Sequence, residues 1–476
     1  MRPAVGSASR ALTIGQIPAG SLWERESSHA VRWDSPGLDD DDLVILDVSF
    51  DSGATWENLG TAAAINRRWI WTVPASGPSR ARLRVTRMSD DAEPVVLGQA
   101  ETDDVPLAPS RKRSYSWSRI STSPPWGTRD GAGALVYGGK MWLIGGWNGD
   151  RFPLTTANDV WSSTDGVNWS EEKPNTFLDP ETFDRSADWE GRHLGGYQVH
   201  DGKMWILGGD TTQGYYQTDV WNSVDGIHWS RTDIHTTTPR MILDNNEESE
   251  TFGEMIIYPG WRPVEEAQFG RRTLQITGVF DGKLWLMGGQ RIETVVSSPW
   301  PGAPAQVFND VWSSTDGATW TETPTVGPMW APRGLVDNAI RFNDRMWLVG
   351  GGIYEDPAVG QETRYFYNDV WSTADGVRWD RTEELPPFTP RFYHNIAVFD
   401  GRLWVIAGYD GDNASDAWYT ADGRNWYDGS GEGFVPRHAA SVWVHDGDMY
   451  VGAGNALDPA IGFRWVADMW KVAVVP

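Results

Sequence analysis

The chain has 476 residues, a formal net charge of -25, 30 tryptophans and no cysteine. The lack of cysteine excludes disulfides, thiolate metal sites and a cysteine nucleophile. The negative charge disfavours nucleic acids and anionic membranes, whose phosphates bind Lys and Arg, and no apolar run approaches the ~20 residues of a membrane span.

The N-terminal quarter predicts a tail and a small β-sandwich. Residues 1–20 form a tail without the continuous apolar stretch of a signal peptide. Residues 21–105 contain four predicted strands, HAVRW, DLVILDVSF, RWIWTVP and SRARLRVTR, separated by turn-rich segments. They resemble the Ig-like or fibronectin-like modules of bacterial surface proteins. Within them SFDSGATW (49–56) matches an Asp-box, SxDxGxTW, which is more often a structural turn than a ligand site. PLAPSRKR (106–113) is the predicted linker.

Beyond residue 113 the sequence repeats one unit. NDVWSSTDGVNW at 158–169 returns as NDVWSSTDGATW at 309–320. Looser copies lie at 218–229, 368–379, 415–426 and, truncated, at 467–470. Each copy follows an apolar phrase such as KMWLIGG (140–146), which itself follows an apolar segment such as PRFYHNIAVFDG (390–401), bounded by an Asp-Gly turn. Each unit therefore predicts four antiparallel strands, a to d, and six such units without helical periodicity predict a β-propeller.

The repeat resembles the kelch repeat. The likeness covers 114–476 and lies in the paired glycines after strand b, the Arg that opens strand a, and an aromatic residue on c followed by Trp on d. The sequence departs from the common kelch pattern in carrying Trp where strand c usually has Tyr, and in its DGxxW turn. It also lacks the cysteine that the copper-radical oxidases among kelch propellers link to a tyrosine.

The last unit lacks a d strand, because the chain ends soon after its c strand. SYSWSRIST, within 114–122, looks like the d strands of the other units and precedes the first a strand, so we expect it to close the ring by pairing with the last unit. The predicted fold class is all-β: a six-bladed kelch-like β-propeller preceded by a small Ig-like β-sandwich.

One face of the predicted propeller carries the long b–c and d–a loops, and loops of that length in compact domains are often functional. Aromatic rings in or beside these loops suit the C–H faces of sugars, so they are candidate ligand-binding residues. They are Trp126, Trp147, Trp189, Trp261, Trp300, Trp330, Trp465, Tyr354, Tyr365 and Tyr409. The alternative is that these rings pack the loops against the sheets.

Aligned a strands place one arginine at the same point of every unit. These are Arg129, Arg192, Arg272, Arg333, Arg391 and Arg437. A ring of guanidinium groups would bind a carboxylate or sulfate, whereas the kelch resemblance implies that they brace the blades. Polar neighbours of these arginines are His193, His394, His438, Asp130 and Asp210. In YDGDNASD the alternating carboxylates of Asp410, Asp412 and Asp416 suit calcium, and no other cofactor is expected.

These features favour a non-catalytic binding protein that acts outside the cell or on a virion surface. Ig-like spacers before a ligand-reading propeller are typical of an adhesin, a surface-layer component or a phage decoration or receptor-binding protein, and a phage protein needs no signal peptide. The expected partner is a glycan or surface receptor, with anchoring to a virion or cell surface through the tail and Ig-like module, and without nucleic acid or membrane insertion.

The alternative is a sugar-processing enzyme resembling sialic-acid epimerases or sialidases. The arginine triad, Tyr-Glu pair and acid of a sialidase have no residue-by-residue match in this sequence. An epimerase needs an acid–base pair at the ring, for which a His beside an acidic group is the candidate.

Overall fold

A computed structural model describes residues 12–35, 37, 42–89, 93–149, 155–179, 182–212, 215–232, 241–243, 255–257, 268–270, 272–291, 306–335, 338–353, 365–458 and 462–476. Two compact units divide the chain. Unit 1 contains Met1–Arg113, Thr382–Phe388 and Thr420–Asp428, and unit 2 contains Ser114–Arg381, Thr389–Tyr419 and Gly429–Pro476. The described residues are nearly all β, with one short 3-10 turn at Ala64–Asn66, and they include no helix long and apolar enough to cross a membrane.

Unit 1 is built from short strands with alternating burial. Its strands are β1 Thr13–Ile14, β2 Trp23–Glu24, β3 Ser28–Asp34, β4 Leu43–Ser49, β5 Glu57–Ala63, β6 Arg68–Thr72, β7 Arg80–Met88, β8 Val96–Glu101 and β9 Val105–Ala108. One sheet runs β2-β9-β7-β4-β5 with β8 also on β7, and β3 pairs with β1 and β6. Leu46 and Val85 are buried in its core with Trp33 and Trp71.

The predicted tail and linker both contribute strands to unit 1. Ile14 is buried and pairs with Trp33, although the sequence predicted no structure before residue 21. Val105 and Leu107 are buried on either side of the exposed Pro106, and this short strand pairs with β7 and β2. The two prolines of this segment favour a linker, because proline has no backbone N–H to donate within a sheet. The alternating burial of side chains along Val105–Ala108 outweighs that loss.

Unit 2 contains small antiparallel sheets in chain order. Sheet 1 is β11 Gly133–Tyr137, β12 Lys140–Trp147, β13 Thr156–Ser163 and β14 Trp169–Lys173, and sheet 2 is β15 Gly196–His200, β16 Lys203–Thr212, β17 Tyr215–Ser223 and β18 Ser230–Arg231. Between sheets 2 and 3 lies the hairpin of β19 Met241–Leu243 and β20 Met255–Ile257. Sheet 3 is β21 Ile276–Phe280, β22 Lys283–Met287, β25 Val311–Ser314 and β26 Thr321–Glu322, and β23 Gln290–Arg291 pairs with β24 Gln306–Val307.

The remaining sheets follow the same plan. Sheet 4 is β27 Ile340–Phe342, β28 Arg345–Ile353, β29 Tyr365–Thr373 and β30 Trp379–Arg381. Sheet 5 contains β31 Asn395–Phe399, β32 Arg402–Ile406 and β33 Ala417–Thr420, while β34 Trp426–Asp428 falls in unit 1 and pairs there with β3. Sheet 6 contains β36 Ser441–His445, β37 Asp448–Gly452, β40 Met469–Val474 and β10 Tyr115–Ser121, and beside it β35 Arg437–His438 and β39 Gly462–Trp465 flank β38 Asn455–Asp458.

The first strands of the six sheets contact one another in a closed cycle, β11-β15-β21-β27-β31-β36 and back to β11. The glycine that ends the Gly-Gly or Ala-Gly after strand b explains how neighbouring sheets join, because it donates its N–H to the carbonyl of the arginine that opens the next sheet. Gly146 binds Arg192 in this way at 3.0 Å, and Gly454 binds Arg129 at 2.8 Å, which links sheet 6 to sheet 1. Gly146 has φ 106°, and an added Cβ would lie 2.8 Å from Ala132 Cβ, so only glycine fits.

Strand β10 completes sheet 6 by pairing with the C-terminal strand. It runs antiparallel to β40, from Tyr115 opposite Val474 to Arg119 opposite Trp470. Trp117 Nε1 donates a hydrogen bond to the Gly429 carbonyl at 2.9 Å. The first and last strands of unit 2 therefore lie in one sheet.

The repeated SSTDGxxW phrase forms a compact turn between strands c and d. In sheet 1, Asp165 Oδ1 accepts the backbone N–H groups of Val167 and Asn168, both at 2.8 Å, and Trp169 Nε1 donates to the Gly166 carbonyl at 3.1 Å. The phrase recurs because each sheet uses the same side-chain-stabilised turn.

The Asp-box of unit 1 folds in a similar way. Asp51 Oδ1 accepts the N–H of Thr55 at 2.8 Å, and Trp56 Nε1 donates to the Gly53 carbonyl at 3.1 Å. Its polar groups are thus used within the turn.

Candidate functional site

The six aligned arginines are buried and paired with aspartates, which removes them as ligand-binding candidates. Arg129 donates from both terminal nitrogens to Asp159 at 2.8 Å, and its Nη1 also donates to the Gly145 carbonyl at 2.7 Å. The same two-point pairing recurs with Arg192–Asp219, Arg272–Asp310, Arg333–Asp369, Arg391–Asp416 and Arg437–Asp468. No residue of the six is more than 3% exposed. Each therefore braces its own sheet, because the Asp of the repeated DxW sequence lies opposite it.

The tryptophan of the same phrase completes the network. Trp161 Nε1 donates to Asp159 Oδ2 at 2.8 Å, and Trp312 makes the same bond to Asp310. Both rings are only partly buried. The phrase is thus repeated for a polar network as well as for an apolar core.

Three of the candidate loop tryptophans are core residues. Trp126 is 1% exposed, and Trp189 and Trp330 are fully buried. Each packs edge-on against a d-strand tryptophan, as Trp126 does against Trp169 with centroids 6.1 Å apart. Their burial leaves no ring face for a sugar.

The sequence carries a signal for this core role. Every one of the six repeats has an aromatic residue three positions before its arginine, and a residue type that recurs in every repeat serves the repeated structure rather than one ligand. The six are Trp126, Trp189, Phe269, Trp330, Phe388 and Phe434.

The other aromatic candidates have mixed positions. Tyr365 is 56% exposed and its ring lies 4.9 Å from that of Tyr367. Tyr409 is partly exposed and contacts the ring of His438. Trp261, Trp300 and Tyr354 lie outside the described residues.

The proposed calcium carboxylates do not converge. Asp416 is bound to Arg391, while Asp410 Oδ2 accepts a hydrogen bond from Thr389 at 2.5 Å in a local turn that also contains Asp412. Across the described part of the chain, no group of three or more His, Asp or Glu side chains could hold a metal ion. The calcium expectation is corrected because an internal ion pair already uses one of its three ligands.

A different set of residues meets where the six sheets converge on the long-loop face. We call mouth positions the residue after each aligned arginine and the residue after the Gly-Gly or Ala-Gly that follows each b strand; the two form a backbone bridge within each sheet. In sheets 1 to 6 they are Asp130 and Trp147, His193 and Asp210, Thr273 and Gln290, Gly334 and Gly352, Phe392 and Tyr409, and His438 and Asn455. Unlike the arginines, these positions differ from sheet to sheet, as expected where residues serve a ligand.

Three mouth residues form an acid–base group, which we call the mouth cluster: Asp130, His193 and Asp210. His193 Nε2 lies 3.4 Å from Asp130 Oδ1, and Nδ1 lies 3.3 Å from Asp210 Oδ1. Both carboxylates are almost completely buried, whereas the His193 side chain is 20% exposed. Asn455 Nδ2 donates to Asp130 Oδ2 at 3.3 Å, and Thr273 Oγ1 donates to Asp210 Oδ2 at 3.4 Å. Four sheets thus position this cluster.

The two carboxylates determine the charge of His193. Burial by itself lowers the pKa of an imidazole, but Asp130 and Asp210 outweigh it and raise the pKa of His193 to about 9. The imidazole is therefore an imidazolium at neutral pH, and the cluster of one cation and two carboxylates carries a net negative charge.

The backbone is shaped to admit this imidazolium. Gly131 follows Asp130 with φ 55°, and an added Cβ would lie 2.3 Å from His193 Cδ2. The Gly131 N–H donates to the Ala439 carbonyl and its carbonyl accepts from Leu194, so three sheets hold this segment. Glycine is required here both for the close approach and for the left-handed conformation.

Two predicted loop tryptophans lie beside the cluster. The Trp147 ring is 5.7 Å from that of His193, inclined by 35°, and Trp465 packs edge-on against Trp147 at 4.9 Å. Both indoles are partly exposed. They are the sequence-predicted aromatics that the structure brings to the acid–base group.

A cavity of about 330 Å³ lies between the inner strands next to the cluster. Its lining includes Gly131, Gly195, Tyr197, Gln198 and Asn395. Of these residues, Gly131 directly follows Asp130, so the cavity reaches the neighbourhood of the cluster without being lined by Asp130, His193 or Asp210.

Sequence reasoning named Asp130, His193 and Asp210 as neighbours of the arginines but did not assign them a function. No local motif unites them, because Asp130 and His193 belong to different repeats. The sequence does mark this position by its variation, because only two of the six repeats have His directly after the arginine.

No family model and no curated protein matches the chain. Among solved structures it is similar to that of YjhT, with 13% identity, a TM-score of 0.41, and coverage of 75% of this chain and 96% of that one. It is also similar to an exo-β-1,3-galactanase from Phanerochaete chrysosporium with bound β-1,3-galactotriose, with 12% identity, a TM-score of 0.24, and coverage of 76% and 100%. The galactose-bound form of that enzyme gives 11% identity and the same TM-score.

The functional expectation is corrected from the site itself. We expected a non-catalytic binding protein, such as an adhesin or virion component, whereas the mouth cluster places an imidazolium between two carboxylates and so fits the sugar-processing alternative better. Since the TM-scores are below 0.5, the likeness carries no argument about the reaction, and the case for it rests on the mouth cluster.

Proposed function

We propose that the chain is a sugar-processing enzyme that interconverts the anomers of a reducing sugar by acid–base catalysis at the mouth. The observation that carries this proposal is the His193 imidazolium between two carboxylates, 3.4 Å from Asp130 and 3.3 Å from Asp210. Anomeric exchange needs an acid and a base within reach of the same ring, and this cluster has both.

In the proposed reaction Asp130 is the base and His193 is the acid. Asp130 Oδ1 is buried and accepts no hydrogen bond of normal geometry from the described residues, since its contact with His193 is a long ion pair. It takes the proton of the anomeric hydroxyl while His193 Nε2–H gives a proton to the ring oxygen. The C1–O5 bond breaks, its electron pair goes to O5, and C1–O1 becomes the aldehyde carbonyl.

The reverse steps regenerate the enzyme. After rotation about C1–C2, O5 attacks the other face of the carbonyl and returns its proton to His193, and O1 regains its proton from Asp130. Atoms and electrons balance without an oxidant, reductant or cofactor. Asp210 is a positioning residue: it contacts the opposite nitrogen of His193 and so fixes the orientation of the imidazolium ring beside Asp130.

We also propose the architecture that supports this site: unit 2 as a six-bladed kelch-like β-propeller and unit 1 as an Ig-like module. The closed cycle of inner strands, the Gly454–Arg129 bond and the pairing of β10 with β40 support six blades closed by the N-terminal strand of unit 2. The expected glycan partner becomes the substrate in this proposal, and a location outside the cell stays a prediction.

The proposal is tested by two-dimensional NMR exchange spectroscopy on reducing sugars at pH 7.5, with buffer alone as the reference. We expect the wild-type protein to accelerate exchange between α and β forms. His193→Gln and Asp130→Asn should each reduce that acceleration by about 100-fold or more, as for loss of a general acid or base. Asp201→Asn, in an exposed turn of sheet 2, is the control and should retain it. Equal acceleration by His193→Gln and wild type would refute the assignment.

A further inference from the structure

We infer that the sugar bound at the mouth is uncharged, rather than a carboxylated sugar such as a uronic or sialic acid. This inference rests on the proposed function, because it names the substrate class of the same site. It follows from the charge of the mouth and from the groups that remain available to a ligand there.

The six aligned arginines are the cations that would otherwise bind a ligand carboxylate. At all six positions both terminal nitrogens are bound to an aspartate of the same sheet. Nη1 of Arg437, for example, also donates to the Ala453 carbonyl at 3.0 Å, and its Nε donates to Val435. A ligand carboxylate would have to displace a buried aspartate to reach any of these groups.

His193 is the cation of the mouth cluster. Both of its nitrogens face carboxylates, and those two negative charges exceed its single positive charge. A third carboxylate placed against it would meet like charges in a poorly solvated site, where repulsion is strong.

The mouth offers a sugar hydrogen-bond acceptors and apolar ring faces. Carboxylate oxygens of the mouth cluster accept hydrogen bonds, and sugar hydroxyls can donate them. The partly exposed rings of Trp147 and Trp465 supply apolar faces for the C–H groups of a pyranose.

The test compares two ligands that differ in one group: the methyl glycosides of galactose and of galacturonic acid. Methyl glycosides cannot exchange anomers, so their binding, measured by saturation-transfer and chemical-shift titration at pH 7.5, is independent of catalysis. We expect the galactoside to bind about tenfold or more tightly than the galacturonide, since like-charge contacts are strongly unfavourable. Asp130→Asn should narrow that preference, and Asp201→Asn should leave it unchanged.

The outcomes separate this inference from the proposed function. Equal or tighter binding of the galacturonide, or no binding of the galactoside, overturns the inference. If the galacturonide binds and free galacturonic acid exchanges its anomers faster with the protein, acid–base catalysis stands and the substrate class falls. If the galactoside binds selectively but free galactose shows no acceleration, the selectivity stands and the proposed reaction falls.

Discussion

At the scale of single residues, His193 shows how neighbours reverse the effect of burial. A buried imidazole is normally neutral, as at His394, where burial and then the nearby Arg391 lower the pKa to about 4 against the opposing effects of backbone hydrogen bonds and Asp416. His193 is also sheltered, yet two carboxylates keep it charged. One fold thus holds one histidine neutral within a sheet and another charged at the mouth.

The first prediction concerns the carboxylate that orients His193. Asp210→Asn removes a negative charge 3.3 Å from Nδ1, so the pKa of His193 should fall from about 9 by about one pH unit or more. NMR titration of the imidazole ring checks this, with Asp201→Asn in the same sheet as the control. A pKa that stays near 9 in Asp210→Asn would show that Asp210 does not sustain the charge.

The same group makes stability depend on pH. Because the pKa of His193 is higher in the folded chain than its ordinary value of 6.5, its contribution is fully present below pH 6.5 and is lost as the pH rises through about 9. Wild type should therefore lose more unfolding free energy than His193→Gln between pH 7 and 10, measured by urea denaturation. Parallel losses in the two proteins would contradict the assigned pKa.

At the scale of elements, the repeat reveals which features are structural. The twelve-residue phrase predicts strand c, a turn and strand d, and the structure places Thr156–Ser163 and Trp169–Lys173 around that turn. The arginines were harder to assign from sequence, although their equal number of co-repeating aspartates is a sign of internal pairing. The mouth cluster could not be predicted because Asp130 and His193 meet only through contact between sheets 1 and 2.

A second prediction separates core from mouth tryptophans. Trp126→Ala should cost about 3 to 5 kcal/mol of unfolding free energy, because it leaves a cavity against Trp169. Trp147→Ala should cost much less, since its ring is partly exposed, and should weaken galactoside binding by about 1 to 3 kcal/mol. Denaturant melts and ligand titrations of the two variants check this pair. Similar losses of stability in both would place Trp147 in the core.

A third prediction concerns the c–d turns. Partial burial opposes ionisation of Asp165, but hydrogen bonds from Asn168, Val167 and Ser163 lower its pKa to about 2. Its stabilisation is therefore present above its ordinary pKa of 3.8 and is lost as the pH falls through about 2. The difference in melting temperature between wild type and Asp165→Asn should shrink as the pH is lowered from 5 to 2. A difference that stays constant would mean that charge plays no part in the turn.

At the scale of the whole molecule, closure of unit 2 joins its two ends. Ser116 and Ala473 are direct partners across β10 and β40, and the chain has no native cysteine to interfere with an engineered bond. Facing residues of antiparallel strands have Cα atoms about 4.5 to 5.5 Å apart, within the range of a disulfide.

The fourth prediction follows from that pairing. The Ser116→Cys, Ala473→Cys variant should form an intramolecular disulfide on oxidation and gain about 2 to 4 kcal/mol of stability over its reduced form, because the bond closes a very long loop. Calorimetry with and without reductant checks this, and each single-cysteine variant is a control. If no intramolecular bond forms, the two ends do not share a sheet.

The central claim is that a charged His193 donates a proton to a sugar at the mouth, and the pH dependence of anomeric exchange tests it most directly. The protein-dependent rate should be measured by exchange spectroscopy on free galactose from pH 6.5 to 10.5, after subtraction of the buffer rate at each pH. We predict a rate that holds steady up to about pH 8 and then falls with a midpoint near 9, the pKa of the His193 acid, and that is absent in His193→Gln. No protein-dependent exchange at any pH, or a rate that climbs as the pH rises through 9, would contradict the account.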